Sequence, residues 1–91
     1  MRATRILVSG IVQGVGYRQW TRRRAAALAL AGWVRNLYDG RVEILVEGDL
    51  RAVDQLVAEC ADGPRYADVT NVEPSDVPAT GLTGFAVRPT G

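Results

Sequence analysis

The chain of 91 residues has no histidine, no lysine and one cysteine, Cys60. Without histidine it lacks the commonest general base, the Ser-His and Cys-His nucleophile pairs, and the usual ligand of zinc and iron sites. A lone cysteine excludes an intrachain disulfide and any cysteine-based metal cluster. Cys60 falls in an amphipathic helical pattern, which reads as a small buried residue rather than a nucleophile. No apolar run approaches the ~20 residues that span a bilayer. Nor does Met1-Arg2-Ala3-Thr4-Arg5 lead into a cleavable signal segment, so the expected compartment is the cytoplasm. Net charge is +1, which gives no global pull toward nucleic acid or anionic membranes. All eleven basic residues are arginine, and such a bias makes arginine count a poor functional sign. Catalysis here has to rest on anion-binding groups, carboxylates or the substrate's own atoms.

What the chain does contain is an ordinary soluble balance, 47% hydrophobic and 23% charged. Its length suits one domain over residues 1–91, expected to be a monomer. Arg5 to Val12 alternates as a strand, and Tyr17 to Ala31 reads as a helix ended by Gly32. Tyr17, Trp20, Thr21, Arg24, Ala25 and Leu28 share that helix's inner side; Arg22-Arg23-Arg24 reads as a solvated face with the Arg24 stem on the core. Trp33 to Leu37 and Arg41 to Glu47 form a hairpin around Tyr38-Asp39-Gly40. Val42, Ile44 and Val46 face inward, and Glu43 and Glu47 are expected on the solvated side. Asp49 caps a helix to about Ala61 with an inner stripe of Leu50, Val53, Leu56, Val57 and Cys60, stopped by Gly63-Pro64. Val69 to Val77 is a strand expected to be irregular around Pro74, and Phe85 to Arg88 closes the chain.

The order β-α-β-β-α-β plus a short strand predicts an α+β, ferredoxin-like split βαβ domain. Its sheet is mostly antiparallel, with both helices on one face. In that topology the first two strands run the same way with the third between them. Their ends share one edge of the sheet, on the order of 10 Å apart.

At the end of the first strand stands Val12-Gln13-Gly14-Val15-Gly16-Tyr17-Arg18. A strand, a glycine turn and a helix start bring several unpaired N–H groups to one point, and the glycines let a bulky oxyanion approach the backbone. Arg18 in a first helical turn is electrostatically misplaced by a few tenths to about 1 kcal/mol. A bound anion reverses that sign, and a guanidinium grips phosphate oxygens bidentately. The plain alternative is an ordinary loop with a solvated arginine. Asn36, at the end of the second strand, is placed to reach an anion held in the loop. Asp39 serves its turn. A metal site is not expected, and an RNA-recognition reading fails for want of aromatic rings on strands one and three.

Val8 to Arg18, with its V-Q-G-V loop followed by an aromatic residue and arginine, resembles the first signature of the acylphosphatase family. Gly32 to Val42 followed by Gly48 resembles its second. Gly63-Pro64, Ala67-Asp68-Val69, Val72-Glu73 and Phe85-Ala86-Val87-Arg88 resemble its later stretches, so the resemblance covers nearly the whole chain. It implies hydrolysis of acyl phosphates to a carboxylate and inorganic phosphate; because the carboxylate is a good leaving group, that chemistry needs no metal, and no cofactor is expected. It also implies that Gln13, Gly14, Val15, Gly16, Tyr17 and Arg18 hold the phosphoryl group and that Asn36 orients the attacking water. Tyr17 stands where phenylalanine is common, and Leu37 where a hydroxyl residue sometimes occurs. The resemblance extends to the acylphosphatase-like N-terminal domain of hydrogenase-maturation carbamoyltransferases, which leaves a non-catalytic phosphate- or carbamoyl-phosphate-binding domain as the alternative.

Overall fold

Alternating apolar residues make the strands of the computed structural model, which describes residues 1–91. Its elements are β1 (Arg2–Ile11), α1 (Tyr17–Ala27), β2 (Ala31–Asn36), β3 (Val42–Gly48), α2 (Leu50–Cys60), β4 (Asp68–Val77) and β5 (Phe85–Val87). The sheet order is β4-β1-β3-β2-β5. β3 lies antiparallel between β1 and β2, β4 pairs antiparallel with β1, and β5 runs parallel to β2. This is the expected ferredoxin-like arrangement. The core lies between one sheet face and the helices: Ile6, Val8, Val34, Val42, Ile44 and Val46 from the sheet, Tyr17 and Ala25 from α1, and Val53, Leu56 and Cys60 from α2. Each large side chain so buried contributes roughly 1.5–3 kcal/mol.

Several elements depart from the sequence reading, each for a local reason. α1 stops at Ala27 instead of Ala31. Leu30 N–H donates to the Ala25 carbonyl at 2.9 Å and Ala29 N–H to that of Ala26 at 3.1 Å, with Ala29 at φ 55°. That pattern is a Schellman closure with alanine where glycine is usual. Gly32 instead lies in β2 at φ 143°, where a Cβ would run into the Leu45 carbonyl. Leu50, expected inside, is 55% exposed, because it opens the first turn of α2 beside the Asp49 cap. β4 keeps its register through Pro74, and the irregularity falls opposite Ser9 and Gly10 instead. β4 is an edge strand, where proline's missing N–H interrupts no ladder.

The largest departure is on the outer face of the sheet. Glu43 and Glu47 are each 3% exposed. Glu43 receives Arg5 at 2.5 Å and Arg35 at 2.6 Å. Burial pushes its carboxyl up, and the two guanidiniums outweigh that and hold it below its ordinary value. Glu47 accepts from the backbone N–H groups of Thr80, Gly81 and Leu82 and from the Thr80 hydroxyl. Burial raises this carboxyl too, and the N–H groups again win, leaving it lowered. Both glutamates are thus buried anchors, one for a cross-sheet charge cluster and one for the loop entering β5.

Candidate active site

β1 delivers Val12, 1% exposed, to the sheet edge, and the chain then turns through Gln13–Gly16. Gly14 and Gly16 take left-handed φ values of 74° and 84°, which glycine adopts without steric cost. Gly16 is the N-cap of α1, with no side-chain cap and no acidic residue in the first turn. The first helical bond is Trp20 N–H to the Gly16 carbonyl at 3.0 Å, and no N–H from Gln13 to Gln19 donates to another protein group. A helix start of this kind concentrates partial positive charge and free donors.

Beside this start lies a cavity of about 150 Å³ lined by Val12, Gly14, Gly16, Tyr17, Arg18, Gln19 and Val87. Arg18 is half-buried and makes no salt bridge, whereas Arg2, Arg5, Arg24, Arg35 and Arg41 each pair with a carboxylate. Tyr17 is 1% exposed and its hydroxyl donates to the Cys60 carbonyl at 2.8 Å. That bond gives the tyrosine, in place of phenylalanine, a partner at the end of α2. Burial pushes the Tyr17 hydroxyl pKa up and raises the Cys60 thiol to about 12, so both stay neutral across the physiological range.

Asn36 closes β2 opposite Val42, which itself pairs with β3's other neighbour through Val8. It is 9% exposed. Its backbone carbonyl accepts from Gly91 N–H at 3.0 Å, while its side-chain Oδ1 is buried without a hydrogen-bond partner. A buried amide oxygen left unpaired costs about 1–3 kcal/mol, so it is either strain or an acceptor kept for a ligand. Asn36 follows Val34 by two residues, on the same sheet face, and Val34 pairs with the cavity residue Val87. Two strand residues span about 6.6 Å, which sets Asn36 at the margin of the cavity.

Of the sequence-predicted residues, Gly14, Gly16, Tyr17 and Arg18 line the cavity together, and Asn36 neighbours it. Val15 packs against the core, and the Gln13 side chain turns away to the β2–β3 hairpin. Gln19 and Val87 went unread. Gln19 is simply the third residue of α1. Val87 reaches the cavity because β5 pairs parallel to β2, a long-range pairing that no local pattern announces. No three Asp, Glu or Cys side chains gather with metal-ligand geometry.

Comparison with known proteins extends the match beyond geometry. The acylphosphatase family profile matches residues 4–87. An acylphosphatase of Acidiphilium cryptum is 48% identical over 91 residues, covering 100% of both chains. The crystal structure of an acylphosphatase from Bacillus subtilis superposes with a TM-score of 0.93 at 38% identity, covering 97% of this chain and 99% of that one. Full-length HypF, in its phosphate- and nucleotide-bound form, matches with a TM-score of 0.90 at 26% identity over 98% of this chain, but only 12% of its own. With a family profile across nearly all its length and relatives matched end to end, the chain belongs to the acylphosphatase family.

Proposed function

We propose that the protein hydrolyses the carboxyl–phosphate bond of small acyl phosphates, with the Gln13–Arg18 loop holding the phosphoryl group and Asn36 holding the water. The observation that carries this reading is the uncapped start of α1 with an unpaired arginine beside it. Loop N–H groups and the Arg18 fork would bind the non-bridging phosphoryl oxygens, where negative charge gathers in a loose transition state. The free Oδ1 of Asn36 would accept a hydrogen bond from a water and hold it in line. The water oxygen attacks phosphorus as the bond to the acyl oxygen breaks. The leaving electron pair stays on a resonance-stabilised carboxylate, so little acid assistance is needed. The water's proton goes to a phosphoryl oxygen, giving inorganic phosphate.

The alternative, a non-catalytic phosphate- or carbamoyl-phosphate-binding domain, is less favoured because a relative named acylphosphatase is matched over its whole length. No helix is long and apolar enough to cross a membrane. A monomer acting in the cytoplasm is the setting this reading expects of one small domain. The test is phosphate release from benzoyl phosphate by the purified protein, with and without EDTA. Turnover should survive EDTA, because no carboxylate cluster is arranged for a metal. Asn36→Ala should lower kcat by orders of magnitude while inorganic phosphate inhibits as before. Equal loss of both, or loss of stability alone, would assign Asn36 to the hairpin instead.

A further inference from the structure

We infer that the Gln13 side chain is a positioning residue that sets the distance between the N–H groups of the loop and the amide of Asn36. The inference rests on the proposed function and adds a residue to it. Gln13 Nε2 donates to the Leu37 carbonyl at 2.8 Å and to the Arg41 carbonyl at 2.9 Å, which uses both hydrogens of the amide. Those carbonyls close the β2–β3 hairpin. Leu37 N–H also donates to the Arg41 carbonyl at 2.8 Å, and Gly40 N–H to the Leu37 carbonyl at 3.2 Å. The amide nitrogen therefore sits across the mouth of the hairpin with both of its hydrogens matched.

Both ends of this link lead to the site. On one side Gln13 precedes Gly14 and Gly16, whose left-handed φ values of 74° and 84° carry the chain into α1 with no other side-chain hydrogen bond to hold it. On the other side Leu37 directly follows Asn36, whose Oδ1 has no partner to orient it. Asn36 thus takes its place from its backbone, and Gln13 fixes that backbone relative to the loop. Misplacing a reacting water by about 1 Å costs roughly a hundredfold in rate. Phosphate binding is less exposed to such a shift, because the loop N–H groups and Arg18 move together.

The experiment compares wild type, Gln13→Met, Asn36→Ala and the double variant on benzoyl phosphate. It reads kcat, the inhibition constant of inorganic phosphate and Tm on the same samples. Gln13→Met keeps the length of the side chain and removes the donor. Its kcat should fall roughly tenfold to a hundredfold, with phosphate inhibition changed by no more than about twofold. The double variant should be no slower than Asn36→Ala, since nothing is left for Gln13 to position. A folded Gln13→Met with wild-type kcat, or losses that multiply in the double variant, would overturn the inference and leave Gln13 a hairpin fastener. If Gln13→Met does not fold, Gln13→Asn, whose amide is one methylene short of both carbonyls, is judged by the same outcomes. Should wild type leave benzoyl phosphate intact, or Asn36→Ala keep full turnover, the proposed function itself fails; a wild-type rate confined to Gln13→Met fails only the inference.

Discussion

The two helices are each 11 residues long and begin in opposite ways. α2 carries its own anion: Asp49 accepts from Arg51 N–H at 3.1 Å and Ala52 N–H at 3.3 Å. α1 begins at a left-handed glycine, has no side-chain cap, and places Arg18 in its first turn. By helix chemistry alone, the start of α1 is worse on every count. An open start with a cation beside it is what the proposed anion site needs, and a bound anion would reverse the sign of the Arg18 interaction. The contrast separates stability from activity. Asp49 is a device for folding, while the start of α1 is, in the function we propose, completed by a phosphoryl group.

Arg18→Ala strikes this contrast hardest. Turnover should fall about a hundred- to a thousandfold. In phosphate-free buffer the variant should be more stable than wild type by about 0.3–1 kcal/mol, since a misplaced cation is gone. Phosphate at ten times its dissociation constant should stabilise wild type by about 1.4 kcal/mol and leave the variant unmoved. Denaturant titrations of both proteins, with and without phosphate, read the two stability effects. Arg18→Lys should recover little activity, because a point charge does not reproduce the planar fork.

Asp49→Ala is the mirror experiment. Stability should drop by about 1 kcal/mol, with kcat/KM on benzoyl phosphate unchanged for the folded molecule. A change in kcat/KM would show that the two helix starts are coupled and that the division of labour is wrong.

Legibility in the sequence divided along similar lines. The inner face of β3 was plain, because the β-branched residues Val42, Ile44 and Val46 recur at every second position. The same alternation misplaced Glu43 and Glu47, since their partners come from Arg5 and from the Thr80–Leu82 loop, 38 and 33 residues away for the Arg5 and Thr80 contacts. Local pattern tells which way a side chain points and says nothing about what covers it. The end of α1 was hidden because alanine, the strongest helix former, occupies the left-handed position at Ala29. At the cavity, the glycine turn, the helix start with Arg18 and the place of Asn36 at the end of β2 were legible. The hairpin bonds of Gln13 and the arrival of Val87 depend on tertiary pairing and were not.

The buried glutamates supply an acid test of smaller size. Each has a folded pKa below its ordinary value of 4.5. Their contribution is therefore present at neutral pH and is lost as pH falls below that value toward the folded one. Tm should stay level near neutrality and decline in acid. Glu47→Gln should lower Tm at pH 7 and shallow the acid decline; a decline as steep as in wild type would remove Glu47 from the account. Smallest of all is Ala29→Gly. It should raise stability by about 0.5–1 kcal/mol by relieving the left-handed alanine, and calorimetry should show it without any change in turnover.

The central claim is that the open start of α1 binds the phosphoryl group, and an amide-resolved NMR titration with inorganic phosphate tests it most directly. Chemical shifts should move at Gly14, Gly16, Tyr17, Arg18 and Gln19, together with the Arg18 side-chain Nε, and stay still at Arg51 and Ala52. Saturable shifts at Arg51 and Ala52, at the exposed Arg22 and Arg23, or nowhere in the loop, would contradict it.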